Sequence, residues 1–201
     1  KGLRNIGKRI RENNYDVVVN LHRFASSGLL TAFSGAPIKI GYKKNPLSRF
    51  FTERHQHPIG QKNDSKFLHE IDRNYGLLKT ITTTSLRGPK LYPHPDDFTT
   101  VSNYTGRPFI TIAAGSVWYT KQWPLEKWKD VIWNYRHYNM FFLGGKMEKE
   151  MIDLFISEFP RLNLVNLCGE LSLLQSAALM QKATMNFVND SAPLHLASAM
   201  N

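Results

Sequence analysis

The run Asn189-Asp190-Ser191-Ala192-Pro193-Leu194-His195-Leu196 follows a short apolar stretch, Met185-Asn186-Phe187-Val188, and reads as a helix start behind a strand. Asp190 or Ser191 is placed to cap that helix, and Pro193 suits its first turn, where a missing N–H costs nothing. A helix start gathers unpaired backbone N–H groups at the positive end of the peptide dipoles, and both favour an anion. His195 falls one turn in, beside the same spot. The chemistry this points to is the holding of a phosphate group, such as that of a nucleotide diphosphate.

Two further turns carry residues of the same kind. In Ala114-Gly115-Ser116-Val117-Trp118-Tyr119-Thr120-Lys121-Gln122-Trp123-Pro124, Gly115 allows a close backbone approach and Ser116 and Thr120 offer hydroxyls. Lys121 stands just before a predicted helix, with Pro124 expected at the first helical position. Its ammonium either meets a phosphate or faces solvent beside a core tryptophan, and the residues alone leave both open. Gly144-Gly145-Lys146-Met147-Glu148 is a second glycine turn. It is either a plain turn or the wall of a nucleotide pocket, where Glu148 would accept hydrogen bonds from ribose hydroxyls. Neither a G-x-G-x-x-G fingerprint nor a P-loop is present.

No metal site is expected, because His and Cys never cluster at ligand spacing. His22, His55 and His57 read as too far from carboxylate partners to suggest a metal site, and no D-x-D pattern occurs. His69 reads equally as a packed histidine or as a group on an acceptor's side. The single cysteine, Cys168, rules out an intrachain disulfide, carries no thiol-enzyme signature and reads as structural.

These turns need strands to hold them. Phe109–Ala114, Met140–Leu143, Leu162–Leu167 and Met185–Val188 are predicted strands. Helices are expected between them over Pro124–Tyr138, Met147–Phe159 and Ser172–Lys182. Strands alternating with helices make a doubly wound, Rossmann-like lobe, in which ligands sit where strands end and helices begin. The first half has its own alternation. Lys1–Asn14 is an amphipathic helix with a Leu3, Ile6, Ile10 stripe, and Tyr15–Leu21 a buried parallel strand. A small-residue helix follows from Ala25, then a strand over Pro37–Tyr42, a basic aromatic loop from Lys43 to about Asn63, and a helix over Asp64–Ile81. Arg87–Pro95, with three prolines and a glycine, reads as the linker. The expected domains are therefore 1–88 and 89–201.

The 201-residue chain is 42% hydrophobic, which is a globular composition with no apolar run near the roughly 20 residues of a membrane helix. Its formal charge of +10 suits a phosphorylated ligand, an anionic membrane surface or nucleic acid. Much of that charge lies at Lys1, Arg4, Lys8, Arg9 and Arg11, which also fit the wet face of a helix. Because the chain starts and stops inside helical patterns, it reads as a fragment with elements missing on both sides.

Taken in order, Gly115-Ser116…Lys121-Gln122-Trp123-Pro124, Gly144-Gly145…Glu148 and Asn189-Asp190-Ser191-Ala192-Pro193-Leu194-His195-Leu196 resemble glycosyltransferase family 9, the ADP-heptose:lipopolysaccharide heptosyltransferases. Tyr15–Leu21 and His69-Glu70…Arg73-Asn74 extend the resemblance over essentially the whole chain. It implies an α/β fold of GT-B type: two Rossmann-like lobes, both incomplete here, the N-terminal one binding acceptor and the C-terminal one nucleotide sugar. Ser116 and Lys121 would contact the diphosphate, and Glu148 the adenosine ribose. Asp190, Ser191, Ala192 and His195 would line the phosphate end. Arg23, Lys43 and Arg54 would meet the acidic acceptor, a lipid A–Kdo core. The chain departs from the family at Ala192, where a glycine is usual, at Val117, where a hydroxyl residue often stands, and at Ser26, where a lysine is common.

The implied reaction is an inverting, metal-independent transfer of heptose from ADP-heptose to the lipopolysaccharide inner core, with no resident cofactor. Lys121 would stabilise the leaving group, while the acidic base would precede Lys1, so the fragment alone is expected to be inactive. The implied place is the cytoplasm, peripheral at the inner face of the inner membrane, without nucleic acid as partner. Two alternatives stand beside it. One is a GT-B enzyme using another nucleotide sugar; the other is a basic module that binds nucleic acid or an anionic membrane.

Overall fold

The computed structural model describes residues 2–58, 68–85 and 88–200. The chain divides into two compact units, Lys1–Arg87 and Gly88–Asn201.

Unit 1 begins with helix α1 (Gly2–Glu12), followed by strand β1 (Val17–Asn20), helix α2 (Ala25–Ala32), strand β2 (Ile38–Tyr42), strand β3 (Glu53–His55) and helix α3 (Glu70–Gly76). The three strands are parallel, in the order β1-β2-β3. Val17, Val19 and Ile38 pack against buried Ile40, Tyr42 and Leu77. The basic loop after β2 contains β3, which was not expected, because Glu-Arg-His has no apolar alternation to announce a strand. The predicted helix over Asp64–Ile81 is α3 alone, followed by turns, and its first residues fall outside the described ones. His69 is exposed, not packed, and its Nδ1 caps α3 by accepting the Ile71 amide at 3.3 Å.

Unit 2 opens with helix α4 (Pro95–Val101), a second element hidden by its composition. Pro95 sits at the start of α4, and His94 caps it while Asp97 returns a bond to the His94 amide. Strand β4 (Phe109–Ala113), helix α5 (Trp128–Asn134), strand β5 (Asn139–Phe142), helix α6 (Lys149–Ser157), strand β6 (Leu164–Asn166), helix α7 (Leu173–Lys182), strand β7 (Met185–Val188) and helix α8 (Ala192–Met200) follow. The sheet is wholly parallel, in the order β6-β5-β4-β7. Residues alternate across it. Ile110, Ile112, Met140 and Phe142 pack on one face with Trp128 and Ile132 of α5 and Ile152 and Phe155 of α6. Phe109, Ala113, Phe141 and Leu143 pack on the other with Val101, Ala178, Leu179 and Ala197. Helices on both faces explain why these strands carry apolar residues toward both sides. The order in which strands are added reverses at β4, with β5 and β6 to one side and β7 to the other, which makes the β4/β7 boundary the switch point of the sheet.

Phe142, fully buried between α6 and its neighbours, tests this core. Phe142→Ala should cost unit 2 about 3–5 kcal/mol. Because all four tryptophans, Trp118, Trp123, Trp128 and Trp133, lie in unit 2, urea unfolding followed by tryptophan fluorescence reads that loss directly.

Candidate functional site

The three turns predicted to carry chemistry lie beyond the C-terminal ends of β4, β5 and β7, and the first is tied to both of the others. Asn189, buried just past β7, is the main tie. Its Nδ2 donates to the Ala114 carbonyl at 2.6 Å, and its Oδ1 accepts the Trp123 amide at 3.2 Å. One side chain thus grips both ends of the turn after β4. Its backbone amide also continues the ladder to the Ala113 carbonyl at 3.3 Å.

Between those anchors the turn folds on itself. Gln122 Nε2 donates to the Ser116 carbonyl, and a short 3-10 turn spans Tyr119–Lys121. Trp123 lies edge-on to Trp128 with ring centres 5.0 Å apart, fastening the turn to the core. Pro124 does not open α5 as expected: it precedes a 3-10 turn, Leu125–Lys127, and α5 starts only at Trp128.

Lys121 is carried to the start of α8. Its Nζ lies 2.7 Å from Asp190 Oδ2, with the lysine side chain 44% and the aspartate 62% exposed. The hydrogen bond from Lys121, then its charge, then that of His195 hold the Asp190 carboxyl below the usual carboxylate range, against a smaller opposing effect of burial. Ser191 Oγ donates to the Gly115 carbonyl at 3.4 Å, a second link between the turns. The expected side-chain cap is not made. The Asp190 and Ser191 side chains are engaged elsewhere, and among the described residues neither side chain accepts an amide of α8; the Leu194 amide donates instead to the Ser191 carbonyl at 3.0 Å. Ala192 begins the helix, Pro193 follows, and His195 is exposed on its first turn.

Glu148 links the second turn to the first. Its Oε2 accepts the Gly145 amide at 2.7 Å, and its own amide donates back to the Gly145 carbonyl at 3.0 Å. The other oxygen rests against Gly115 so closely that a Cβ there would fall on it. A Cβ on Gly144 would meet Glu148 Oε2 at 2.7 Å and Cys168 Sγ at 2.9 Å. Both glycines are therefore required by a close approach. Cys168 is buried, and burial, followed by the charge of Glu148, pushes its thiol up to about 12. It is a packing residue with no thiolate chemistry at neutral pH.

Ser116, Lys121, Glu148, Asp190, Ser191, Ala192 and His195 thus share one end of one sheet. The residues that hold them there, Asn189 and Gln122, carry no special chemistry, and the sequence offered only their places inside the turns. Val117, Trp118 and Tyr119 form an exposed apolar rim. Among the described residues no three His, Cys, Asp or Glu side chains are gathered so as to hold a metal ion.

The acceptor-side candidates belong to unit 1. Arg23 is exposed in the turn after β1. Lys43 follows β2, and its amide donates to the His55 carbonyl at 2.8 Å. Arg54 is exposed in the middle of β3, in register with Gly41. The charges felt by His57 are those of Arg73, Arg23 and Lys44; Lys43 and Arg54 are not among them.

With this geometry in hand, comparisons with known proteins are specific. The sequence profile of glycosyltransferase family 9 (heptosyltransferase) matches residues 3–201, and the chain belongs to that family. No curated protein matches it in sequence. Among solved structures it is similar to a glycosyl transferase family 9 protein from Veillonella parvula, with 23% identity and a TM-score of 0.78 over 99% of this chain and 59% of that one. It is also similar to the ADP-heptose lps heptosyltransferase II of E. coli, with 21% identity and a TM-score of 0.70 over 99% of this chain and 64% of the other. A third is E. coli heptosyltransferase WaaC with ADP, with 18% identity and a TM-score of 0.71 over 97% and 62%. The α/β units with parallel sheets are the GT-B-like fold of those structures. The chain spans less than two thirds of the length of each.

Two measurements probe the site. Lys121→Ala removes the cause of the Asp190 shift, so the carboxyl should titrate at higher pH than in the parent, as read by NMR of the Asp190 side chain. Gly115→Ala should cost unit 2 about 1–3 kcal/mol, because the added Cβ displaces a carboxylate that the Gly145 amide holds in place. Nucleotide titrations should also show weaker binding, since that carboxylate must leave its place.

Proposed function

We propose that unit 2 binds the nucleotide sugar of an inverting glycosyltransferase, and that the donor is ADP-heptose. One observation carries this reading: at the sheet's switch point, Lys121 and the start of α8 lie within one ion pair of each other, at 2.7 Å. A diphosphate placed there would meet an ammonium, the Ser116 and Ser191 hydroxyls and the positive end of the α8 peptide dipoles. Glu148, anchored on Gly145, offers its other oxygen toward Gly115, where ribose hydroxyls would donate to it. The family and the printed substrates of the E. coli relatives support ADP-heptose as donor and lipopolysaccharide as acceptor.

In the proposed reaction an acceptor hydroxyl loses its proton to a carboxylate base and attacks the anomeric carbon from the side opposite ADP. The bond from that carbon to the diphosphate oxygen breaks, and the electron pair leaves with ADP. Lys121 and the α8 amides stabilise the charge arriving on the diphosphate. No step calls for a metal or a resident cofactor. The acceptor is the lipid A–Kdo inner core, and the net charge of +10 supports peripheral attachment at the anionic inner face of the inner membrane. Among the described residues, no helix is long and apolar enough to cross a membrane. A UDP- or GDP-sugar would use the same cradle and differ only at the base.

Calorimetric titration of the chain with ADP, UDP and GDP tests the reading. ADP should bind tightest, and Lys121→Ala should weaken it by about tenfold or more, the worth of one charge-assisted hydrogen bond. Equal affinity of parent and Lys121→Ala would remove the diphosphate from this site; preference for UDP or GDP would change the donor.

A further inference from the structure

The opposite end of the unit 2 sheet carries a cleft of its own. It has a volume of about 610 Å³ and lies at the N-terminal ends of β5 and β6, walled on one side by the chain between α4 and β4. That size falls within the roughly 300–1,000 Å³ of small-molecule sites. Phe141 of β5 is in register with Val165 of β6, and two residues earlier Asn139 and Asn163 share the same face. This is the face on which Phe109, Phe141 and Leu143 pack. Tyr104 meets the Phe141 ring edge-on, with centres 5.1 Å apart, so the cleft has an aromatic side.

Asparagine is a poor strand former, and an amide on an apolar sheet face needs a partner. Elsewhere in unit 2 it has one. Asn166 donates to the Lys149 carbonyl and to Asp153, and Asn186 accepts from Thr111 and donates to the Met180 carbonyl. Asn189 bridges Ala114 and Trp123. By contrast, among the described residues the side-chain amides of Asn103, Asn139 and Asn163 make no hydrogen bond, and the Arg107 guanidinium makes neither a hydrogen bond nor an ion pair. All four line this one cleft.

A primary amide sets a donor beside an acceptor, which complements a hydroxyl, itself both. Three such amides and one guanidinium match a ligand with several hydroxyls and a single anionic group. The Tyr104 and Phe141 rings match the C–H face of a saturated ring. We propose that this cleft is a saccharide-binding site, which takes a monosaccharide unit bearing one acid group, a carboxylate or a phosphate. Arg107 holds the acid, and Asn103, Asn139 and Asn163 hold the hydroxyls. No carboxylate, imidazole or thiol lines the cleft, so it binds its ligand without transforming it. The five residues of β4 separate this end from the Lys121–Asp190 end, about 16 Å at about 3.3 Å per residue. The inference therefore goes beyond the nucleotide reading and holds whatever the other end binds.

The test follows the side-chain amide signals of Asn103 and Asn163 by NMR in the 201-residue chain, each assigned by its loss in Asn103→Ser or Asn163→Ser. Glucuronate and glucose-6-phosphate are titrated beside glucose, acetate and inorganic phosphate at matched ionic strength. Saturable movement of both signals with an acidic sugar is expected, and the tighter of the two identifies the acid. Glucose lacks the acid, while acetate and phosphate lack the ring, so each should bind at least about tenfold more weakly. Arg107→Ala alters an exposed side chain; its thermal melting should match the parent, and its affinity for the acidic sugar should fall about tenfold. Signals unmoved by both acidic sugars, a simple ion or glucose binding as tightly as they do, or an unchanged affinity in Arg107→Ala overturns the site. ADP titration of Arg107→Ala should match the parent, so failure at this end is not mistaken for failure at the other.

Discussion

The candidate site depends on a single buried amide. Asn189 and Ala114 stand 75 positions apart in the chain, and only the pairing of β7 with β4 makes them neighbours. Parallel pairing brings the strand ends level but does not fix the turns that leave them. The Asn189 side chain does so by satisfying one group before the turn, the Ala114 carbonyl, and one after it, the Trp123 amide. An amide is suited to this because it carries a donor and an acceptor on one rigid plane. An aspartate could accept from Trp123 but would set its charge against the Ala114 carbonyl. The Lys121–Asp190 pair is thus a consequence of Asn189 and not its cause.

Much of the fold was legible because the physics that forms it is local. β7 spans the predicted Met185–Val188, and α7 begins after Ser172, whose hydroxyl accepts the Gln175 amide while Gln175 returns the bond. Where the signal was not local the reading failed. β3 is polar and owes its existence to β2, which pairs with it. α4 hides in a proline-rich segment, capped by a histidine where Ser, Thr, Asp or Asn are usual. The site divides in the same way. Glycines, Lys121 and Glu148 could be picked out one turn at a time, since each turn announces itself. Nothing in the chain says that Glu148 reaches Gly115, or that Lys44 rather than Lys43 shares a field with Arg23, because those facts belong to the packing of distant loops.

The Lys121–Asp190 contact also has a direction. Both side chains are substantially exposed, so water competes for each and the pair is weakly held. A diphosphate carries more charge than one carboxylate and presents several oxygens, so it can draw the ammonium away. Asp190 then remains beside an anion, which is unfavourable unless it turns outward, and its exposure leaves it free to do so. The carboxylate is best understood as the occupant that keeps Lys121 extended across the mouth of the turn. Without it, a flexible four-carbon stem would have to be ordered by the ligand itself, at a cost in entropy.

Glu148 meets the opposite constraint. One oxygen is held by the Gly145 amide, while the other is pressed against Gly115, with Gly144 and Cys168 behind it. That leaves the carboxylate little rotational freedom, so its open lone pairs point where the backbone of the first turn is barest. A buried thiol beside it, kept protonated far above neutral pH, adds no second negative charge to the wall. The two anions of the site therefore differ in kind: Asp190 is mobile and exchangeable, whereas Glu148 is fixed and only partly exposed. A pocket of the kind proposed, releasing a charged product while reading a neutral sugar edge, would use both, because charge would be surrendered at one end and geometry kept at the other.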